Sequence, residues 1–268
     1  MNRNFYIIYL SILLIVFTSC ENEQVVDVNI VHEEFTVVQS ELKVDKHFPG
    51  VRFTKTLPLG VPYDIKLAEL KNITAYIRID SVRIIPLIYD QDGLYKSLYE
   101  FYVEPGKYYE LFADRDGTFI YSQTVIPEKP IVTSTTYSSN ENYLQAVVPS
   151  RHNEVYAALW AISSAPFIKA EDYFSVSVPT EISPISTINV RTSPLPEEFR
   201  SPAYNNRRFI QVFSFDKSFK NYFNSRTSGQ GISDPFVQGG GTVEWNVYGD
   251  NVIGMFIGVA EGELVPVF

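Results

Sequence analysis

Apolar and polar residues alternate along most of the chain from residue 35 on, the pattern of strands with one buried face. The cleanest case is 73–80, where Ile73, Ala75, Ile77 and Ile79 fall on one side and Thr74, Tyr76, Arg78 and Asp80 on the other. The run 35–44 alternates loosely, and 51–59 sets Val51, Phe53 and Lys55 against Arg52, Thr54 and Thr56. A further strand is expected over 82–90; Pro86 within it marks an edge or a bulge, because proline has no N–H to give a neighbour. Asp92-Gly93 and Asp116-Gly117 read as type I′ hairpin turns, Pro105-Gly106 as another turn, and three strands are expected across 97–127. Short strands at this spacing predict a β-sandwich over residues 35–130.

Residues 131–268 continue as a second β-rich region with less regular alternation. Strands are expected at 131–139, 142–150, 154–166, 173–179 and 207–216, then at 241–249 and 251–268. Residues 180–206, rich in Ser, Pro, Thr and Asn, read as an extended surface loop. One helix is predicted at 216–226. Phe215, Phe219, Tyr222 and Phe223 form an apolar stripe at helical spacing, and Asp216 is placed to cap it. Residues 228–241 form a Gly-rich loop. No internal repeat is visible.

Composition agrees with a mainly β fold: aromatics reach 15%, with 18 Tyr and 19 Phe, and hydrophobic residues make up 45% of the 268 residues. Residues 1–19 depart from this pattern. Arg3 precedes an apolar run of 13 residues, 5–17, followed by Thr18 and Ser19. That is the layout of a signal peptide, and it is short of the roughly 20 residues of a spanning helix. Cys20, the one cysteine of the chain, comes directly after. Small residues before such a cysteine resemble the lipobox of bacterial lipoproteins, which implies cleavage before Cys20 and acylation of it. Several acyl chains on one residue hold a protein to a membrane far more stably than one. The polar stretch that follows, 20–34, reads as a tether. Without residues 1–19 the chain keeps 21 Lys plus Arg against 31 Asp plus Glu, a net charge of about −10. That balance argues against nucleic-acid partners and against electrostatic docking on anionic lipid.

Candidate chemistry is sparse. His32, His47 and His152 have no metal-ligand neighbour at short spacing, so they read as solvated loop histidines. The Asp-rich fragments at 90–93 and 114–117 lack the closing ligands of a calcium loop and read as turns. No nucleophile elbow or phosphate loop is present in the sequence, and the adjacent Glu197 and Glu198 are not arranged to face across a substrate. No catalytic residue, cofactor or metal is therefore expected. The aromatics of 94–110 are the candidate binding surface: Tyr95, Tyr99, Tyr102 and Tyr109, with Phe101 and Tyr108 among them. Flat rings bury much area at low entropy cost in recognition, although cross-strand packing in the core explains the same residues. The loop around 226–241 is a second candidate surface.

Several segments together resemble one family, the Bacteroidota lipoproteins catalogued as domain of unknown function 4249. They are the Thr-Ser-Cys at 18–20, the strands at 37–44 and 51–59, and the Pro-Gly-Lys-Tyr hairpin within 104–113. The helix at 214–226, Asp234-Pro235-Phe236, and the closing strands of 243–260 complete the set. The resemblance implies an outer-membrane lipoprotein with an immunoglobulin-like first half and no agreed activity. It implies a non-catalytic role near a partner such as a TonB-dependent transporter or its substrate. A surface carbohydrate-binding or adhesive module is the alternative, and the membrane face it would occupy is left open.

Overall fold

A computed structural model describes residues 32–173, 175–179, 186–228 and 243–268. Residues 1–19, Cys20, most of the expected tether and the Gly-rich loop from residue 229 lie outside the described residues. Glu34–Phe268 makes one compact unit. The protein is mainly β, 50% strand and 8% helix.

Seven strands come first: β1 (Thr36–Lys43), β2 (Val51–Lys55), β3 (Ile73–Ile79), β4 (Arg83–Gln91), β5 (Leu94–Ser97), β6 (Tyr108–Arg115) and β7 (Thr118–Val125). A single helical turn, α1 (Ile65–Ala68), lies between β2 and β3. Then follow β8 (Ser134–Ser138), β9 (Tyr143–Pro149), β10 (Glu154–Ile162), β11 (Ile168–Lys169) and β12 (Thr187–Arg191). β13 (Arg208–Asp216) runs into the helix α2 (Ser218–Ser228), and β14 (Val247–Tyr248) and β15 (Val252–Pro266) complete the set. Twelve strands form one sheet in the order β11-β10-β13-β15-β1-β2-β5-β4-β3-β6-β7-β14, and β12-β9-β8 form a second. Residues on both sides of Pro130 share the large sheet.

The hairpins follow from their turns. Asp92-Gly93 and Asp116-Gly117 all have positive φ, the backbone that a two-residue type I′ turn requires and that Asp and Gly tolerate. The second turn pairs Arg115 with Thr118 and so sets Phe112 opposite Tyr121. Pro86 pairs with Tyr76 of β3, but on the β5 side it lies one residue past the last pair, Leu87 with Ser97. It thus sits where β4 has a locally free edge.

β15 organises the molecule. It runs parallel to β1 from Thr36↔Val252 to Lys43↔Val259 and antiparallel to β13 on its other side. The strands from β15 to β7 roll round until β7 lies against β15. Asn246 closes the roll. Its side chain donates to the Phe256 carbonyl and accepts from the Phe256 N–H, as a paired strand would, while its own carbonyl accepts from Ser122 Oγ. Gly258 N–H donates to Thr124 Oγ1 across the same seam. Inside the roll is the first core, built on Val38, Phe53, Ile77, Leu111, Ile120 and Phe256.

β10 is buried along both faces, which explains its nearly unbroken apolar sequence. Tyr156, Ala158, Trp160 and Ile162 meet the small sheet, together with Leu144, Val148 and Val190. Val155, Ala157 and Leu159 face the other way, toward Phe213, Phe215, Phe219 and Phe223. Helix α2 covers that side, and Asp216 Oδ1 accepts from Ser218 N–H at its start. The same carboxylate takes the Val125 N–H through Oδ2, so the cap also ties the helix to β7.

Three sequence expectations are corrected. The expected loop 180–206 contains strand β12, which pairs with β9 and buries Val190. It also carries two short 3-10 turns at Glu197–Phe199 and Pro202–Tyr204. Buried Arg208 holds the first of these by donating to the carbonyls of Phe199, Arg200 and Ser201. No named strand lies in the described part of 173–179, only a bridge between Ser177 and Tyr156. Likewise 98–107 is not a strand; it makes one bridge, Tyr102 to His47.

Candidate binding surfaces

The structure separates the four expected surface tyrosines. Tyr95 and Tyr109 are each only 1% exposed and are withdrawn from the binding surface. Tyr95 lies edge-on to Phe53, accepts the Ile73 N–H and donates to the Leu70 carbonyl. Tyr109 accepts the Glu104 N–H and braces the turn before β6 from inside. Burial pushes both phenols up from their ordinary pKa. Tyr99 and Tyr102 are exposed, as expected of a surface. Tyr102 packs on His47 with centroids 4.2 Å apart, and Glu100 lies 3.9 Å from His47 Nδ1. They form a small cluster rather than a broad face.

The broad aromatic face lies elsewhere, on the solvent side of β4, β3, β6, β7 and β14. Strand register lines up Pro86, Tyr76, Phe112, Tyr121 and Tyr248 in one row across five strands. Tyr76 and Phe112 are stacked at 5.0 Å and 13°, Phe112 and Tyr121 lie 5.1 Å apart, and Tyr121 and Tyr248 6.4 Å. Nearly parallel rings with centroids 5.0 Å apart are offset-stacked, so Tyr76 and Phe112 each partly cover one face of the other. Phe119, at 59% exposure, flanks the row beside Phe112. Ile84 and Ile88, both exposed, extend the apolar surface along β4.

A polar row runs beside the rings. Arg78 donates to both oxygens of Glu110, at 2.6 and 2.7 Å, and its guanidinium stands 4.7 Å from the Phe112 centroid. The hydrogen bonds from Arg78 hold the Glu110 carboxyl below its ordinary pKa. Tyr121 donates toward Glu110 and Gln123, and Tyr108 donates to Gln123. These bonds link Arg78, Glu110, Tyr121, Gln123 and Tyr108 into one polar chain beside the rings. Sequence reasoning named only Tyr108 of these residues among the candidate surface aromatics, although alternation sets Tyr76 and Arg78 on the polar side of 73–80. The missing signal was register: the Asp116-Gly117 turn places Phe112 opposite Tyr121, and inward Leu111 and Ala113 force Phe112 outward.

A second concavity of about 630 Å³ opens beside helix α2. Tyr173, Phe215, Phe219 and Ile257 give it an apolar wall, and Glu41, Lys43, Lys46 and Arg52 stand at its polar side. Lys43 is engaged by Glu261 at 2.7 Å, which raises its pKa, and Arg52 donates to the Asp92 carbonyl. The groove therefore offers an apolar surface and few uncommitted polar groups. Among the described residues, no group of three or more His, Cys, Asp or Glu side chains is placed to hold a metal ion. His47 and His152 are both exposed. No helix among them is long and apolar enough to cross a membrane. The loop expected to offer a second surface lies, from residue 229, outside the described residues.

No family model matches the chain, and no curated protein matches it.

Proposed function

We propose that this chain is a non-catalytic lipoprotein of the outer membrane, held by acyl chains on Cys20, that binds a protein partner such as a TonB-dependent transporter or its substrate. The resemblance to the Bacteroidota lipoproteins belongs to the same reading, as does an immunoglobulin-like description of the first half. The observation that carries the binding role is the ordered aromatic row Tyr76–Phe112–Tyr121–Tyr248 on a solvent-facing sheet. Aromatic rings at the centre of a rigid, apolar, polar-flanked face are the usual anchors of protein interfaces. The alternative, a carbohydrate-binding or adhesive module, draws on the exposure of Phe119 and Tyr248. Sugar stacking needs open ring faces, and Phe112, stacked on Tyr76 with the Arg78 guanidinium 4.7 Å from its centroid, offers little of one, which favours a protein partner.

The test is affinity purification in mild detergent from cells, with cross-linking and mass spectrometry, of the native chain and of a Phe112→Ala/Tyr248→Ala variant. A specific partner is expected with the native chain, reduced at least about tenfold in the variant if these rings are hot spots. Recovery of the native protein reproducibly alone sinks the reading. Specific binding on a glycan array would move it to the alternative.

A further inference from the structure

Where the chain enters the compact unit, the surface is apolar. Phe35 N–H donates to Thr56 Oγ1 and Thr56 N–H donates to the Phe35 carbonyl. The segment after Thr56 projects from that junction as Leu57-Pro58-Leu59-Gly60-Val61-Pro62-Tyr63. It is an ordered turn: Val61 N–H donates to the Pro58 carbonyl at 3.1 Å, and Gly60 supplies φ +84 at the tip. Leu59 at its tip is 81% exposed and Tyr63 71%, with Val61 and, on α1, Leu67 also exposed. A fixed turn that presents such side chains to solvent gains nothing from them within its own fold.

Most charges around the turn are matched, while exposed Asp64 caps α1 by accepting the Lys66 N–H. Lys66 pairs with Asp92 at 2.5 Å, Lys71 with Glu69 at 3.0 Å, and Lys55 with Glu34 at 3.1 Å. Arg115 closes the set by also binding Glu34, at 2.5 Å. This end of the unit therefore has an apolar tip on a nearly neutral base, in a chain of net charge −9.

We infer that the 57–63 turn and the adjoining face of α1 dip into the headgroup region of the bilayer that carries the lipidated cysteine. This rests on the proposed acylation of Cys20. Phe35 is fifteen positions after Cys20, so an extended chain reaches at most about 54 Å and keeps this end of the unit within that distance of the membrane. Leu and Val supply the apolar contact, and Tyr suits the interface, where one end of the ring is apolar and the other wet. Because most neighbouring ions are paired and the remaining carboxylate, Asp64, is repelled by anionic lipid, insertion works through apolar area rather than lipid charge. The contact adds a second, non-covalent attachment and limits how freely the unit swings on its tether.

The test uses the full-length chain processed in its own cells, purified with its acyl chains and reconstituted in phosphatidylethanolamine vesicles containing a nitroxide lipid. A Leu59→Cys variant is labelled with an environment-sensitive dye, and a Tyr248→Cys variant serves as comparator. Acylation of Cys20 leaves the introduced cysteine as the free thiol, and intact mass reports that acylation independently. Quenching several-fold stronger at position 59 than at 248, unchanged between low and high salt and with added phosphatidylglycerol, is expected. Equal, solvent-like signals from acylated protein overturn the inference and leave the anchor standing. A strong dependence on salt or phosphatidylglycerol overturns the apolar mode of contact. Protein without acyl chains overturns the anchor, and the inference with it.

Discussion

At Gly254, with φ +134, a Cβ would lie 1.9 Å from the Val38 carbonyl oxygen and 2.7 Å from its nitrogen. The parallel pairing of β1 with β15 closes only because no side chain is there. Gly254→Ala is expected to cost about 3 kcal/mol, the upper end for overpacked interiors. Gly117→Ala, at a turn with open space around it, should cost about 1 kcal/mol, from backbone strain alone. Urea denaturation of the two variants separates steric from conformational demand. Glu110 makes a pH prediction. Its hydrogen bonds from Arg78 lower its pKa in the folded state, so the ionised carboxylate contributes stability above the ordinary glutamate range. That contribution is lost as pH falls through the lowered folded value. The stability difference between the native chain and Glu110→Gln should therefore be largest at neutral pH and shrink below about pH 4. Denaturation curves from pH 7 to 3 read it, and a constant difference would contradict the assignment.

Among the elements, the strands were legible where a long run alternates between a core-facing and a water-facing side. The alternation at 73–80 is β3, with Ile73, Ala75, Ile77 and Ile79 all buried. The Asp-Gly pairs marked two hairpins because their φ requirement is local. β12 was hidden: Thr-Ile-Asn-Val-Arg is short, sits among prolines, and is a strand because β9 offers it an edge, a tertiary cause. Of the expected surface tyrosines, Tyr99 and Tyr102 are exposed, and Tyr109 is lost to the core by a single step of parity. Tyr108 and Tyr109 are neighbours, and composition alone does not say which faces inward; the inward set Tyr109, Leu111 and Ala113 decides it. Helix α2 followed its stripe and its cap. Asp216→Ala removes both the cap on Ser218 and the acceptor for Val125, and should destabilise by about 2 kcal/mol. A loss of helix-specific amide protection around 218–225, measured by hydrogen exchange, is the accompanying signature.

For the whole molecule, the decisive arrangement is that β15 lies between β13 on one side and β1 on the other. It adds Phe256 to the core inside the roll and Ile257 to the core beneath α2. Unfolding should then be one cooperative transition across residues 34–268, with calorimetric and van't Hoff enthalpies in agreement. Fragments separated at Pro130 should not fold alone, since the first lacks the partner of β1; two resolved calorimetric transitions would count against this. The placement of β15 also sets a schedule. A ribosome releases β15 after every other described strand, and until it appears β1 has no neighbour on one flank and the first core lacks Phe256. Contacts between segments this far apart in sequence form slowly, because a long loop must close before they bring any gain. On the proposed export route, in which the chain would cross a membrane unfolded, β15 would emerge after every strand it pairs with, and the fold would close late.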